Sequence, residues 1–257
     1  MIEHPQWIPQ EWQERLNVRD GDDKGRLWRI FPTGTKLRPI PRLDKLTSDE
    51  LVAALDSPSG WQRDMAQQLL IERLEPLDWS KVVKTRCAKL LAELIQSSSR
   101  PEVRVQAMYT LHGIGSGMSG HVPSMLHDPH PGVRMHAIRL AEPVIRIPAL
   151  DSNQQPPTYS EICDLVDDPH PWVQLQLAAT LGELPGEGPA RALQQILMTT
   201  DDPYIRAMGL SSVDEHNLPL IVFGLLNMPS TEIIEQGHPL IEPLLICAVT
   251  YAAAGAP

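Results

Sequence analysis

Histidine is the residue type in this chain best placed to do chemistry. His121, His127, His130 and His136 lie close together, and His170 repeats the setting of His130 within Asp-Pro-His-Pro. Imidazoles at short intervals invite a transition metal. The repetition argues otherwise. His130 and His170 each stand between two prolines of the same kind of turn, where an exposed polar residue is ordinary. Their recurrence follows a structural repeat rather than a coordination sphere, and no metal ligand is assigned.

Four other patterns fail on their own chemistry. Asp20-Gly21-Asp22-Asp23-Lys24-Gly25 resembles the start of a calcium loop. Lys24 occupies the fifth place of that frame and Phe31 the twelfth, where a bidentate Glu is required. The turn is read as a plain hairpin turn. Gly113, Gly115, Gly117 and Gly120 follow a helix and lack the Gly-Lys-Ser/Thr ending of a phosphate loop. Cys87, Cys163 and Cys247 are far apart and form neither CxxC nor CxxCH. Ser, His and Asp are present without a Gly-x-Ser-x-Gly frame. No catalytic, cofactor-binding or metal-ligating residue is therefore assigned, and no cofactor is expected.

The elements carrying these residues form a repeat. In Leu51 to Arg73, a short helix, a turn at Ser57-Pro58 and a second helix with Trp61, Arg63, Ala66 and Leu69 follow one another. The turn recurs as Ser99-Arg100-Pro101, Asp128-Pro129, Asp168-Pro169 and Asp202-Pro203. After it come Val103-Arg104, Val133-Arg134, Val173-Gln174 and Ile205-Arg206, then Ala107, Ala137, Leu177 and Gly209. The apolar marker at 61, 103, 133, 173 and 205 advances by 42, 30, 40 and 32 residues. Two helices per unit at such periods predict an all-α, HEAT-type solenoid of five to six helical pairs, with ten to thirteen helices over 44–257. The recurring Asp and Arg are expected to pair between adjacent turns as a ladder. Trp61 and Trp172 stand at the start of second helices, where other repeats carry Val or Ile; core packing against the preceding turn is expected for both, with recognition aromatics on an exposed edge as the alternative.

Composition narrows the function. Residues 1–43 hold eight Lys/Arg against six Asp/Glu, whereas 44–257 hold 14 against 26, and no Lys or Arg follows Arg206. An acidic array repels phosphate backbones, which speaks against a HEAT-like DNA glycosylase and against nucleic acid as partner. The N-terminus lacks the basic-then-apolar pattern of a signal peptide. Leu244 to Ala254, the most apolar run, is about half the roughly 20 residues that span a bilayer, so no membrane insertion is expected.

Residues 1–43 stand outside the repeat. Leu16 and Val18, then Leu27, Trp28 and Ile30, flank the acidic turn and predict a β-hairpin; 32–43, with Pro32, Pro39 and Pro41, read as an extended linker. Residues 44–257 form the solenoid. Its first and fourth repeats open on capping boxes, Thr47 to Glu50 and Thr158 to Glu161. Its end, 218–254, is apolar on both halves where an array should be polar, which predicts self-association or a docked partner there.

Five stretches carry a family resemblance: HPQWIPQEWQERLNVRDGDDKGRLWRI (4–30), PIPRLDKL (39–46), LVAALDSPSGWQRDMAQQLLIER (51–73), DPHPGVRMHAIRLAE (128–142) and DDPHPWVQLQLAATLGE (167–183). In combination they resemble the middle of the large bacterial membrane-bound dehydrogenases. Those join a sorbosone-dehydrogenase-like β-propeller, a HEAT-repeat region and a c-type haem module. The resemblance implies that 4–30 are closing strands of a propeller blade. It implies propeller or cytochrome c modules as partners, and a periplasmic or membrane-associated whole protein. Neither the quinone-holding propeller nor the haem motif occurs in this sequence, so no residue role carries over. The expected function is a non-catalytic scaffold, a spacer between propeller and cytochrome. The alternative is a HEAT-like lyase or hydroxylase, which would need a deep pocket of paired acids or histidines on the concave face.

Overall fold

The computed structural model describes residues 4–254 apart from 18, 22, 25–29, 37–38, 40, 75–80, 117–119, 146–156 and 228–239. The chain divides into two compact units, Met1–Pro41 and Arg42–Pro257. The first contains a 3-10 turn, Pro5–Trp7, and a single helical turn, α1 (Gln10–Gln13), joined by turns. No strand occurs among the described residues. Leu16 and Ile30 are outside any ladder, and Val18 and 25–29, where most of the expected hairpin falls, lie outside the described residues. A two-stranded ribbon without further sheet is marginal in any case.

The second unit is a stack of helical pairs: α2 (Ser48–Ala54) with α3 (Gly60–Leu74), α4 (Lys81–Ser97) with α5 (Pro101–Gly113), α6 (Val122–Leu126) with α7 (Pro131–Ile145), α8 (Pro157–Cys163) with α9 (Pro171–Leu181), α10 (Glu187–Thr199) with α11 (Pro203–Ser211), and α12 (Leu218–Leu226) with α13 (Ile241–Ala254). Second helices pack on one another in the order α3, α5, α7, α9, α11, and first helices form the other layer. The chain is an all-α helical-repeat solenoid.

Spacing explains the core. Ala66, Leu70 and Leu74 in α3, and Cys87, Leu91 and Ile95 in α4, recur every fourth residue and are fully buried. Each buried leucine contributes about 2 kcal/mol. Val103, Val133, Val173 and Ile205 are buried at one equivalent position, and Ala107, Ala137, Leu177 and Gly209 at another. Ala107, Ala137 and Gly209 there let second helices approach. At Gly182 the ends of α9 and α11 meet closely: a Cβ would lie 2.6 Å from Ser212 Cβ and 2.8 Å from its carbonyl oxygen.

The first capping box forms as the sequence predicts: Glu50 N–H donates to Thr47 Oγ1 and Thr47 N–H to Glu50 Oε2. The backbone hydrogen bond from Thr47 holds the Glu50 carboxyl below its ordinary range. At the second box, the Thr158 side chain lies outside the described residues.

Candidate functional site

Five turns between first and second helices share one hydrogen-bonding scheme. Ser57, Ser98, Asp128, Asp168 and Thr200 each accept, through a side-chain oxygen, the N–H two residues ahead, at 2.8–3.3 Å. Six residues on, Arg63, Arg104, Arg134, Gln174 and Arg206 each donate back to the carbonyl of that same residue at 2.7–2.9 Å. This geometry corrects the turn alignment read from the sequence. Thr200, not Asp202, is the counterpart of Asp128 and Asp168. Asp202 instead caps α11, accepting the N–H groups of Tyr204 and Ile205.

Across neighbouring repeats the arginines make the expected ladder. Arg104 grips Asp128 with Nε and Nη2, both at 2.8 Å, and Arg134 grips Asp168 at 2.6 and 2.9 Å. Side-chain exposure is 11% and 6% for the first pair and 13% and 4% for the second. Bidentate, buried pairing of this kind is specific in geometry as well as charge. At Arg63 the next turn offers Ser98 in place of Asp, and the Arg63 Nε is buried without a partner; so is Arg206 Nε. Where the donor is Gln174, the facing residue is Thr200.

The histidines go to separate tasks. His130 Nδ1 accepts the Gly132 N–H at 3.1 Å and His170 Nδ1 the Trp172 N–H at 3.3 Å, so each serves as a helix cap. His136 Nδ1 lies 3.0 Å from the Tyr109 hydroxyl between α7 and α5. Burial lowers the His136 pKa and raises that of Tyr109, which suits a neutral ring accepting from the phenol. His127 is exposed and His121 half-buried. Among the described residues no three His, Cys, Asp or Glu side chains stand close enough to hold a metal ion. Burial pushes the Cys163 thiol up to about 11, which leaves it protonated and unreactive at neutral pH.

The aromatic residues overturn their expected placement. Trp61 and Trp172 stand one residue before the buried Val/Ile position, in register with Glu102, Gly132 and Tyr204. Trp61 is 58% exposed, Trp172 60% and Tyr204 77%. These side chains ride on the edge where second helices begin. Nothing in a turn tripeptide distinguishes that position from its buried neighbour; only the count to the ladder Arg does.

Two further surfaces bear on function. A cleft of about 430 Å³ opens where α9 meets α10 and α11 meets α12, lined by Glu183, Glu187, Asp214, His216, Asn217 and Leu220 among others. Its acids are already engaged in structure: Asp214 accepts the N–H groups of His216 and Asn217, and Glu187 pairs with Arg191. The second surface is the outward side of the last pair. Leu218, Ile221 and Leu225 of α12 face the core, yet Phe223 and Leu226 opposite them are exposed, as are Leu245, Ile246 and Val249 of α13. On α10 the outward positions are instead Arg191, Gln195 and Thr199. No helix among the described residues is long and apolar enough to cross a membrane.

No family model matches the sequence, and no curated protein matches it. Solved structures do. Two engineered proteins from a structural genomics consortium are similar at 16% and 14% identity with TM-scores of 0.46 and 0.47, each covering 81% of this chain and 97% and 99% of their own. A designed armadillo repeat protein, solved in complex with the peptide (KR)4, is similar at 13% identity and a TM-score of 0.44 over 78% of this chain and 97% of its own. Likeness at this level bears on neither ligand nor chemistry.

Proposed function

We propose that this chain is a protein-interaction scaffold, non-catalytic by itself, that docks through its last helical pair. The observation carrying the reading is the double-sided hydrophobicity of α12, LPLIVFGLL, which packs one face inward and leaves Phe223 and Leu226 exposed beside Leu245, Ile246 and Val249. A helix apolar all round is built to be covered on both sides. The resemblance to the membrane-bound dehydrogenases adds a setting: a spacer between propeller and cytochrome c modules, with residues 1–43 as the blade remnant and linker and 44–257 as the solenoid.

In the isolated chain the face is covered by a second copy. Light scattering after size-exclusion chromatography is expected to show a dimer that dissociates on dilution through the micromolar range. Phe223→Gln with Leu226→Gln, Leu245→Gln and Ile246→Gln is expected to yield monomer with unchanged helical circular dichroism. Leu225 and Leu244 are buried, so polar substitution there tests folding rather than docking. A clean monomer of the unaltered chain at high micromolar concentration refutes the reading.

A further inference from the structure

The turn edge carries a second, independent surface. Trp172 and Tyr204 occupy the same position, the second residue of α9 and of α11, and these helices pack directly on each other. Each follows a proline at the first helical residue, Pro171 or Pro203, which fixes the local backbone. Each turn is further held by side-chain caps, His170 Nδ1 to the Trp172 N–H and Asp202 Oδ1 to the Tyr204 N–H. The His170 ring also meets the Trp172 ring edge-on, with centroids 5.3 Å apart. Two aromatic side chains thus stand on adjacent rungs over a fixed backbone, which lowers the ordering cost of binding.

The charge beside them is mainly acidic, with Arg134 taken up by Asp168 in the turn of Trp172. Between residues 164 and 204 the acids are Asp164, Asp167, Asp168, Glu183, Glu187, Asp201 and Asp202, against Arg191 alone. Asp167 and Asp201, next to the two turns, are exposed, Asp167 accepting from Gln195 Nε2 at 2.9 Å through one oxygen; Arg191 pairs with Glu187. Arg206, below Tyr204, donates to the Thr200 carbonyl of its own turn.

Packed helix axes stand about 8–10 Å apart. A polyproline II segment rises about 3.1 Å per residue with three residues per turn, so its residues i and i+3 share one face about 9 Å apart. We propose that Trp172 and Tyr204 form a docking edge for a proline-rich, arginine-bearing segment of a partner protein. Two prolines three residues apart lie on the two rings, and a neighbouring arginine reaches Asp201 or Asp167. Aromatic platforms flanked by acid suit this ligand better than an extended strand, whose residues i and i+3 point to opposite sides. Trp61 is equally exposed but has Glu102 on the neighbouring rung, so it lacks the second platform and serves as the internal control.

The test titrates the full chain into a fluorescein-labelled decapeptide with two prolines at i and i+3 and two flanking arginines. Saturable binding that weakens with added salt is expected. Trp172→Ala and Tyr204→Ala should each weaken it about tenfold, the scale of an aromatic anchor, with melting temperature and helical dichroism retained. Trp61→Ala, and the four-fold glutamine variant of the last pair, should leave it unchanged, which separates this edge from the docking face above. A glycine-serine peptide with the same two arginines should bind at least tenfold more weakly. Absence of saturable binding, equal binding of the glycine-serine peptide, or indifference to both Trp172→Ala and Tyr204→Ala overturns the proposal.

Discussion

The middle rungs of the ladder and its outer rungs are built from the same turn yet differ in what closes them. At Arg104–Asp128 and Arg134–Asp168 a guanidinium bridges from one repeat to the carboxylate of the next, and both groups are buried. At Arg63 the facing residue is Ser98, and the Nε is left buried without an acceptor. Between Gln174 and Thr200 both members are neutral. The difference shows that the unit of stability is the junction between repeats. Where the following repeat supplies no acid, as at Arg63 and Arg206, the guanidinium keeps a buried Nε without an acceptor, which costs stability that the paired rungs do not lose.

Breaking a middle rung is the largest expected effect. Asp128→Ala leaves Arg104 charged and unpaired and frees the His130 N–H. Loss of one partner of a buried pair predicts about 3–5 kcal/mol of destabilisation. Read from the sequence as a half-exposed cap, the same change would cost about 0.5–2 kcal/mol, so urea denaturation decides between a rung and a cap. Arg104→Met combined with Asp128→Leu should cost much less than the two single changes summed.

Completing an outer rung is the next test. Ser98→Asp would offer Arg63 its missing acceptor, but Ser98 Oγ already donates to Asp56 Oδ1 at 3.1 Å, so a second carboxylate there meets repulsion. Ser98→Asp with Asp56→Asn removes that conflict; because Asp56 also pairs with Arg100 at 2.9 Å, the gain is read against Asp56→Asn alone and should be about 1 kcal/mol, the scale of one charge-assisted hydrogen bond. A lower melting temperature for the double variant than for Asp56→Asn alone would show that Arg63 is satisfied as it stands.

The smallest effect concerns the Tyr109–His136 contact between α5 and α7. Burial first, then the nearby Arg139, depresses the His136 pKa below its ordinary 6.5. The unfolded chain therefore takes up the proton first. The contribution is present in full above the ordinary imidazole range and is lost as pH falls below it toward the folded value. Thermal melts from pH 7.5 to 5 should show this slope in the unaltered chain and a shallower one in His136→Phe.

Much of the fold was legible in the chain itself. Helix spacing, the Thr47–Glu50 box, the recurring Arg and Asp and the small residues at Ala107 and Ala137 all act within a turn or two of backbone, where local hydrogen bonds and periodicity rule. The turn register was harder. Asp-Pro-His-Pro contains two prolines, and aligning Pro129 with Pro101 and Pro203 placed Asp202 opposite Asp128. The N1 prolines are Pro131 and Pro171, as the bonds from Arg134 and Gln174 to their own turns reveal. The same slip, one residue at Trp61 and Trp172, turned exposed edge residues into supposed core.

The sequence alone thus determined that second helices would form, bury one stripe and stack by repeats, because each of those steps is set by residues close together along the chain. Which carboxylate meets which guanidinium, which aromatic faces water and that Phe223 and Leu226 of α12 are exposed among the described residues were decided only by the stack. Those outcomes depend on a neighbour 24 to 42 residues away, whose register no local pattern reports.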